Sequence, residues 1–81
     1  MLTDAEIKRT ERKAKKTQRL YDGHGLVYVL PPKGLAYWRF DFRLAGKRRS
    51  MSLGTYQEVG LAKARKRLAE ARALVADGVD P

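Results

Sequence analysis

The chain has 81 residues, enough for one small domain and too few for two hydrophobic cores. It has no cysteine and no apolar run near the roughly 20 residues that span a bilayer, which argues against disulfides, thiolate metal sites and a membrane anchor. Eighteen Lys and Arg against nine Asp and Glu give a formal charge of +9, which favours a polyanionic partner in the cytoplasm.

The positive charge is spread along the whole chain. Seven basic residues lie between Lys8 and Arg19, six between Lys33 and Arg49, and five between Lys63 and Arg72. Binding to anionic lipids would need large apolar residues opposite a basic helical face, and no segment pairs the two well. The charge is therefore a property of the domain, and no membrane partner is expected.

The N-terminal segment predicts a short helix followed by a basic connector. In LTDAEIKRT, Thr3 can accept a hydrogen bond from the backbone N–H of Glu6 while the Glu6 side chain reaches back to Thr3, which is a capping box. We expect a helix within residues 1–9. Residues 10–18, TERKAKKTQ, show no apolar periodicity and a block of like charge, so a solvated connector that could order on a partner is expected there.

Residues 19–54 predict an antiparallel sheet of three to four strands. Two short extended pieces flank a Gly-rich turn over residues 22–25, and Leu26–Leu30 is apolar on both sides, as suits a strand covered on both faces. Residues 37–45 and 47–53 each alternate strictly across an Ala-Gly turn, which indicates a β-hairpin.

The turn fixes the register of this hairpin, because pairing Leu44 with Lys47 sets every other pair and opposed residues share a face. One face carries Trp38 opposite Leu53, Phe40 opposite Met51, and Phe42 opposite Arg49. The other face carries Tyr37, Arg39 opposite Ser52, Asp41 opposite Ser50, and Arg43 opposite Arg48. A slip of one residue would expose aromatic rings that each contribute about 1.5 to 3 kcal/mol when buried.

Residues 60–77 predict one long helix. Its apolar stripe at three-to-four spacing consists of Leu61, Ala64, Leu68, Ala71 and Val75. Gly78 suits the position after the helix end. This helix is expected to cover the Trp38 and Phe40 face, giving an α+β fold with the short N-terminal helix and an open polar sheet face.

The open polar face is the candidate binding site, since one aspartate, Asp41, cannot neutralise its three arginines. A phosphate backbone would relieve that repulsion; the alternative is a solvated salt-bridge lattice around Asp41. Tyr37 is either a surface tyrosine or a contact for a sugar or phosphate. His24, the single histidine, has no second imidazole or cysteine with which to share a metal, and we predict no catalytic residue, metal or cofactor.

With the hairpin and helix assigned, the chain resembles the N-terminal arm-type DNA-binding domain of phage and genomic-island tyrosine recombinases, the P4-like integrases. The resemblance covers nearly the whole length, from LTDAEIK through LYDGHGLVYVLPPKG and YWRFDFRLAGKRRSMSLGTYQEVGLAKARK to GVDP. Gly60 departs from the pattern, because relatives often place a serine or threonine cap there. Glycine is a tolerable N-cap, so the helix is still expected.

The resemblance implies a non-catalytic domain of a bacterial recombinase. In that family a core-binding domain and a catalytic domain follow, and residues 78–81 would begin the linker to them. The domain would bind double-stranded DNA at arm-type sites, supporting integration and excision together with other recombinase subunits. In isolation it would be a monomer, cytoplasmic and nucleoid-associated when bound.

The resemblance also implies that the exposed sheet face enters the major groove. The residues that it assigns to DNA are Tyr37, Arg39, Arg43, Lys47, Arg48, Arg49, Ser50 and Ser52. Among these, Lys47 and Arg49 at the turn end would reach phosphates. Two alternatives remain open from the residues alone: a basic protein-protein interaction module, and a small RNA-binding domain.

Overall fold

In the described residues, two helices and four strands form the α+β fold that the sequence predicts. The computed structural model describes residues 1–13 and 15–81. In chain order the elements are α1 (Asp4–Lys13), β1 (Gln18–Gly23), β2 (Leu26–Leu30), β3 (Tyr37–Leu44), β4 (Lys47–Thr55) and α2 (Leu61–Ala76). The strands form one antiparallel sheet in the order β1-β2-β3-β4, so that each strand pairs with its neighbours in sequence. None of the described helices is long and apolar enough to cross a bilayer.

Helix α1 is longer than predicted. The capping box forms, with the Glu6 N–H donating to Thr3 Oγ1 at 3.2 Å. The helix then continues to Lys13, through part of the segment predicted as a connector, and β1 already begins at Gln18. Position 14 of that connector lies outside the described residues. A contact with the sheet explains the extension, because Glu11 Oε1 accepts a 2.9 Å hydrogen bond from the Tyr28 hydroxyl of β2.

The hairpin of β3 and β4 has the predicted turn and, over most of its length, the predicted register. Ala45 and Gly46 both have positive φ, 52° and 77°, as the two-residue turn that matches strand twist requires. The pairs from Leu44–Lys47 to Arg39–Ser52 are those expected. The aromatic and arginine side chains of β3 therefore lie on opposite faces.

The register changes at the far end of the hairpin, where the predicted Trp38–Leu53 pair is wrong. Trp38 pairs with Gly54, and Leu53 is the extra residue of a β-bulge. Arg67 of α2 donates to the Leu53 carbonyl at 2.9 Å, and a Cβ added at Gly54 would lie 2.8 Å from Val59 Cγ2. The bulge thus lets the chain after β4 pack closely against the sheet, which strand alternation alone does not reveal.

The core lies between one face of the sheet and the two helices. Its central ring is Trp38, which is fully buried and donates from Nε1 to the Val59 carbonyl at 2.6 Å. Tyr28 packs edge to face against Trp38 with 5.4 Å between ring centroids. The helices contribute these buried residues: Leu2 and Ile7 from the α1 region, and Leu61, Ala64, Leu68 and Ala71 from α2. The predicted stripe of α2 therefore covers the aromatic face, as expected.

Helix α2 ends in the predicted way. Gly60 is its N-cap without a side-chain hydrogen bond, and Asp77 is its C-cap. Beyond the end, the Gly78 N–H donates to the Val75 carbonyl at 2.9 Å and the Val79 N–H donates to the Leu74 carbonyl at 2.8 Å. This pair of bonds is the Schellman motif, which satisfies carbonyls left over at a helix end.

Asp22 holds three parts of the chain together. The sequence places it in a turn, but it lies in β1 with its side chain only 6% exposed. Its carboxylate accepts two hydrogen bonds from Arg65 of α2 and a third from the Leu2 backbone N–H, at 2.7 to 3.0 Å. The guanidinium is the main reason why the pKa of Asp22 lies below its usual value. The turn between β1 and β2 is correspondingly shorter than predicted.

Candidate nucleic-acid interface

The face of the sheet that points away from both helices, here called the outer face, is not covered by any described element. Strand pairing and alternating burial assign its residues. They are Arg19 and Tyr21 of β1, Val27 and Val29 of β2, Tyr37, Arg39, Asp41 and Arg43 of β3, and Arg48, Ser50, Ser52 and Thr55 of β4. The guanidiniums predicted to point outward therefore do so.

Positive charge is concentrated at the turn end of the outer face. Arg43 lies directly opposite Arg48, both are exposed, and neither forms an ion pair within the described part of the chain. A shallow depression of about 640 Å³ at this end of the hairpin is lined by both arginines, Asp41 and Ser50, and also by Phe42 and Arg49 of the opposite face. Opposed like charges on neighbouring strands are destabilising, so an anion bound here would be favourable for the fold as well as for binding.

Arg39 is held differently from the other two arginines. Its Nε donates to Asp41 Oδ1 at 2.8 Å and its Nη2 donates to Asp41 Oδ2 at 3.1 Å. This hydrogen bonding raises the pKa of Arg39, and the nearby Tyr37 and Tyr21 act in the same direction. Part of the alternative prediction, a salt bridge at Asp41, is therefore real, but it involves only one of the three arginines.

The structure brings six of the eight predicted residues together on the outer face. They are Tyr37, Arg39, Arg43, Arg48, Ser50 and Ser52. Lys47 and Arg49 lie instead on the opposite face at the turn end, paired with Leu44 and Phe42. Arg49 Nη1 forms an exposed ion pair with Asp80 Oδ2 at 2.9 Å. These two residues therefore lie near the hairpin tip, but not on the outer face.

Two further outer-face residues, Arg19 and Tyr21, are absent from the sequence prediction. Tyr21 is 67% exposed, and it occupies the same cross-strand row as Val27 and Arg39. Val27 and Val29 are buried although no helix covers them, so we infer that longer neighbours on β1 and β3 shield them. The sequence does indicate that β2 is covered on both faces. The outer-face positions of Arg19 and Tyr21, however, follow only once the register of β1 with β2 is known.

Comparison with known proteins agrees with this architecture. Residues 2–81 match the family described as the arm DNA-binding domain. The chain belongs to that family. The resemblance stated from the sequence is therefore confirmed.

Integrases of phages and prophages are among the relatives of this arm DNA-binding domain. It is 40% identical to the prophage integrase IntA of Escherichia coli K12 over 82 residues, 99% of this chain and 20% of the relative. It is 32% identical to the integrase of Enterobacteria phage P4 over 83 residues, 100% of this chain and 19% of the relative. With the putative protein IntB of Escherichia coli K12, identity is 52% over 58 residues, 72% of this chain and 14% of the relative. The chain thus spans about a fifth or less of the length of these relatives.

Proposed function

We propose that this domain binds double-stranded DNA sequence-specifically at arm-type sites, as the N-terminal, non-catalytic part of a site-specific tyrosine recombinase. The observation that carries the proposal is the open outer face with Arg43 and Arg48 opposite each other at the end of a hairpin, where neither forms an ion pair with any described residue. Membership of the arm DNA-binding domain family and the integrase relatives support it.

Three of the four strands suit the width of the major groove of B-DNA. Two strand spacings of about 4.8 Å make three neighbouring strands about 10 Å wide, which fits a groove about 12 Å wide, whereas all four strands, at about 14 Å, exceed it. Strands β2, β3 and β4 would enter the groove, which leaves β1 at its rim. Arginine side chains from β3 and β4 would then face base edges, and the short Ser50 and Ser52 would allow the backbone of β4 to approach closely.

Basic residues outside the outer face would neutralise phosphates. Lys47 and Arg49 flank the hairpin tip, and exposed Lys15 and Lys16 precede β1 at the other edge of the sheet. Each phosphate contact releases counterions, so affinity should fall steeply as salt rises. Contacts of this kind position the protein, whereas outer-face contacts discriminate between sequences.

The role of such a domain in recombination would be to position the recombinase, together with other subunits, without cutting DNA. The strand-exchange chemistry would belong to other domains of the parent protein. Binding at arm-type sites would make the protein nucleoid-associated in the cell.

Selection of bound duplexes from a random-sequence library, followed by binding titrations across salt, tests the proposal. We expect one sequence to be enriched. A plot of the logarithm of the binding constant against the logarithm of the salt concentration should have a negative slope that corresponds to several neutralised phosphates. A double variant, Arg43→Ala with Arg48→Ala, should lose the enriched sequence. Its matched control, Arg72→Ala, removes an exposed arginine of α2 on the other side of the sheet and should retain it. A salt slope near zero, or no enrichment, would overturn the proposal.

RNA binding is a second candidate because Tyr21 presents an exposed aromatic ring beside Tyr37 and Arg39 on an open sheet. Single-stranded RNA is commonly bound by stacking on such rings. Competition between the selected DNA duplex and structured RNA separates the two, since the proposed function requires the duplex to win.

A further inference from the structure

We propose that Asp41 is a positioning residue that orients Arg39 to read a guanine, an inference that rests on the proposed function of the outer face. Within the described chain, Arg39 is the outer-face arginine that is held by a carboxylate. The geometry of that pair determines which N–H groups of Arg39 remain for a ligand.

Asp41 occupies one edge of the Arg39 guanidinium and leaves another edge free. A guanidinium has five N–H groups in a rigid planar fork, and the two contacts, Nε to Oδ1 at 2.8 Å and Nη2 to Oδ2 at 3.1 Å, use the side-on edge. The end-on edge, formed by Nη1 and the second N–H of Nη2, has no partner among the described residues. The Arg39 side chain is 26% exposed and that of Asp41 is 43% exposed, so the pair is accessible from the outer face.

The backbone that carries the pair is fixed on both sides. Asp41 lies in β3, an inner strand, opposite Ser50 of β4, and its N–H donates to the Gly25 carbonyl at 2.8 Å. Gly25 packs so closely that an added Cβ would collide with the Asp41 carbonyl oxygen. The carboxylate therefore projects from a rigid position. Part of the conformational entropy that the Arg39 side chain would lose on binding DNA is already lost in the free protein.

The free edge matches guanine better than it matches a phosphate. Guanine presents O6 and N7 as adjacent acceptors in the major groove, the usual bidentate partner of arginine. The Asp41 carboxylate offsets the charge of Arg39 and repels phosphate oxygens, so the pair adds little to sequence-independent attraction. Within the described part of the chain, neither Arg43 nor Arg48 is ion-paired with a carboxylate, so both suit phosphate as well as bases.

The test uses the duplex obtained by selection from the random library, resynthesised with each guanine in turn replaced by 7-deazaguanine, which lacks the N7 acceptor. For the unmodified protein we expect the replacement to weaken binding by about tenfold at each guanine that an arginine reads, the value of one hydrogen bond to a charged group. Arg39→Ala should become insensitive at one of these positions. Asp41→Asn should lose most of the sensitivity there, although its added positive charge strengthens binding to unrelated duplexes.

Asp80→Asn is the matched control. It also removes one carboxylate from an exposed Arg–Asp pair, the pair with Arg49, but on the opposite face. It should keep the full 7-deazaguanine sensitivity. Asp41→Glu keeps the charge but lengthens the side chain, and it provides a second test if Asp41→Asn folds poorly. This variant should also be less sensitive to 7-deazaguanine.

The outcomes separate this inference from the proposed function. Enrichment of one duplex with full sensitivity in both Asp41 variants would overturn the positioning role alone. Equal loss in Asp80→Asn would overturn it too, because the effect would then be one of net charge. A library without any enriched sequence would overturn the proposed function, and the inference with it.

Discussion

Asp22 of β1 and Arg65 of α2 form a two-point ion pair, with Nε to Oδ2 at 3.0 Å and Nη2 to Oδ1 at 2.8 Å. The same guanidinium donates to the Leu2 carbonyl at 2.9 Å, while the Leu2 N–H donates back to Asp22. The pair therefore ties the start of the chain and the last helix to an edge strand. Interactions of high sequence separation such as this one hold a small domain together where the core is limited.

Removing the carboxylate should destabilise the fold without affecting the outer face. Asp22→Asn leaves Arg65 without its partner and weakens the Leu2 contact, and we expect the melting temperature to fall by about 5 °C or more. Thermal unfolding followed by circular dichroism checks this. Asp80→Asn, in an ion pair that is half exposed on both sides, should change the melting temperature much less. Equal shifts in the two variants would contradict the role given to Asp22.

The same pair predicts a pH dependence. The pKa of Asp22 is lowered in the folded state from the value of 3.8 expected without partners. The stabilisation is then fully present above that value and is lost as pH falls through the lower, folded-state pKa. The difference in unfolding free energy between the wild type and Asp22→Asn should therefore be constant near neutral pH and shrink in acid. A difference that grows on acidification would have the wrong sign.

Gly54 should tolerate a side chain less well than Gly23, although the two have nearly the same φ, 113° and 115°. An added Cβ at Gly54 meets Val59 Cγ2 at 2.8 Å, whereas at Gly23 it meets nothing within 4 Å. Gly23→Ala should cost only backbone strain, about 1 to 3 kcal/mol. Gly54→Ala should cost about 1 to 3 kcal/mol more, because it overpacks the bulge. Urea titrations of the two variants measure the difference, and equal costs would show that the bulge can relax.

Arg43→Ala should reduce discrimination more than it reduces binding. We expect a loss of about 1 to 3 kcal/mol on the selected duplex, with a smaller change on random DNA, if Arg43 contacts a base edge. Mobility-shift titrations on both duplexes at one salt concentration measure the two losses. Equal losses would show that Arg43 contacts only phosphate. Arg72→Ala provides the arginine control on α2.

Strand alternation and turn chemistry were sufficient to predict the part of the site on the hairpin. The Ala45-Gly46 turn sets the pairing of the residues near it. Phe40 and Phe42 then determine which face of the hairpin is buried, because a shift by one residue would expose their rings to water. The faces of Arg39 and Arg43 follow directly from that phase.

The parts that were missed depend on contacts between segments far apart in sequence. The bulge at Leu53 exists because Val59 and Arg67 pack against the end of β4, and α1 extends because Glu11 meets Tyr28. The outer-face position of Tyr21 needed the pairing of β1 with β2. None of these contacts leaves a periodic trace in the sequence.

The single tryptophan, Trp38, sits beneath the sheet, on the side turned away from the outer face. Its indole emission should therefore report unfolding while staying almost constant when a ligand occupies the opposite surface. The emission of a variant then shows whether the protein is folded in the same sample that is used for a binding measurement, so that any variant that binds poorly can be sorted at once into misfolded or truly defective.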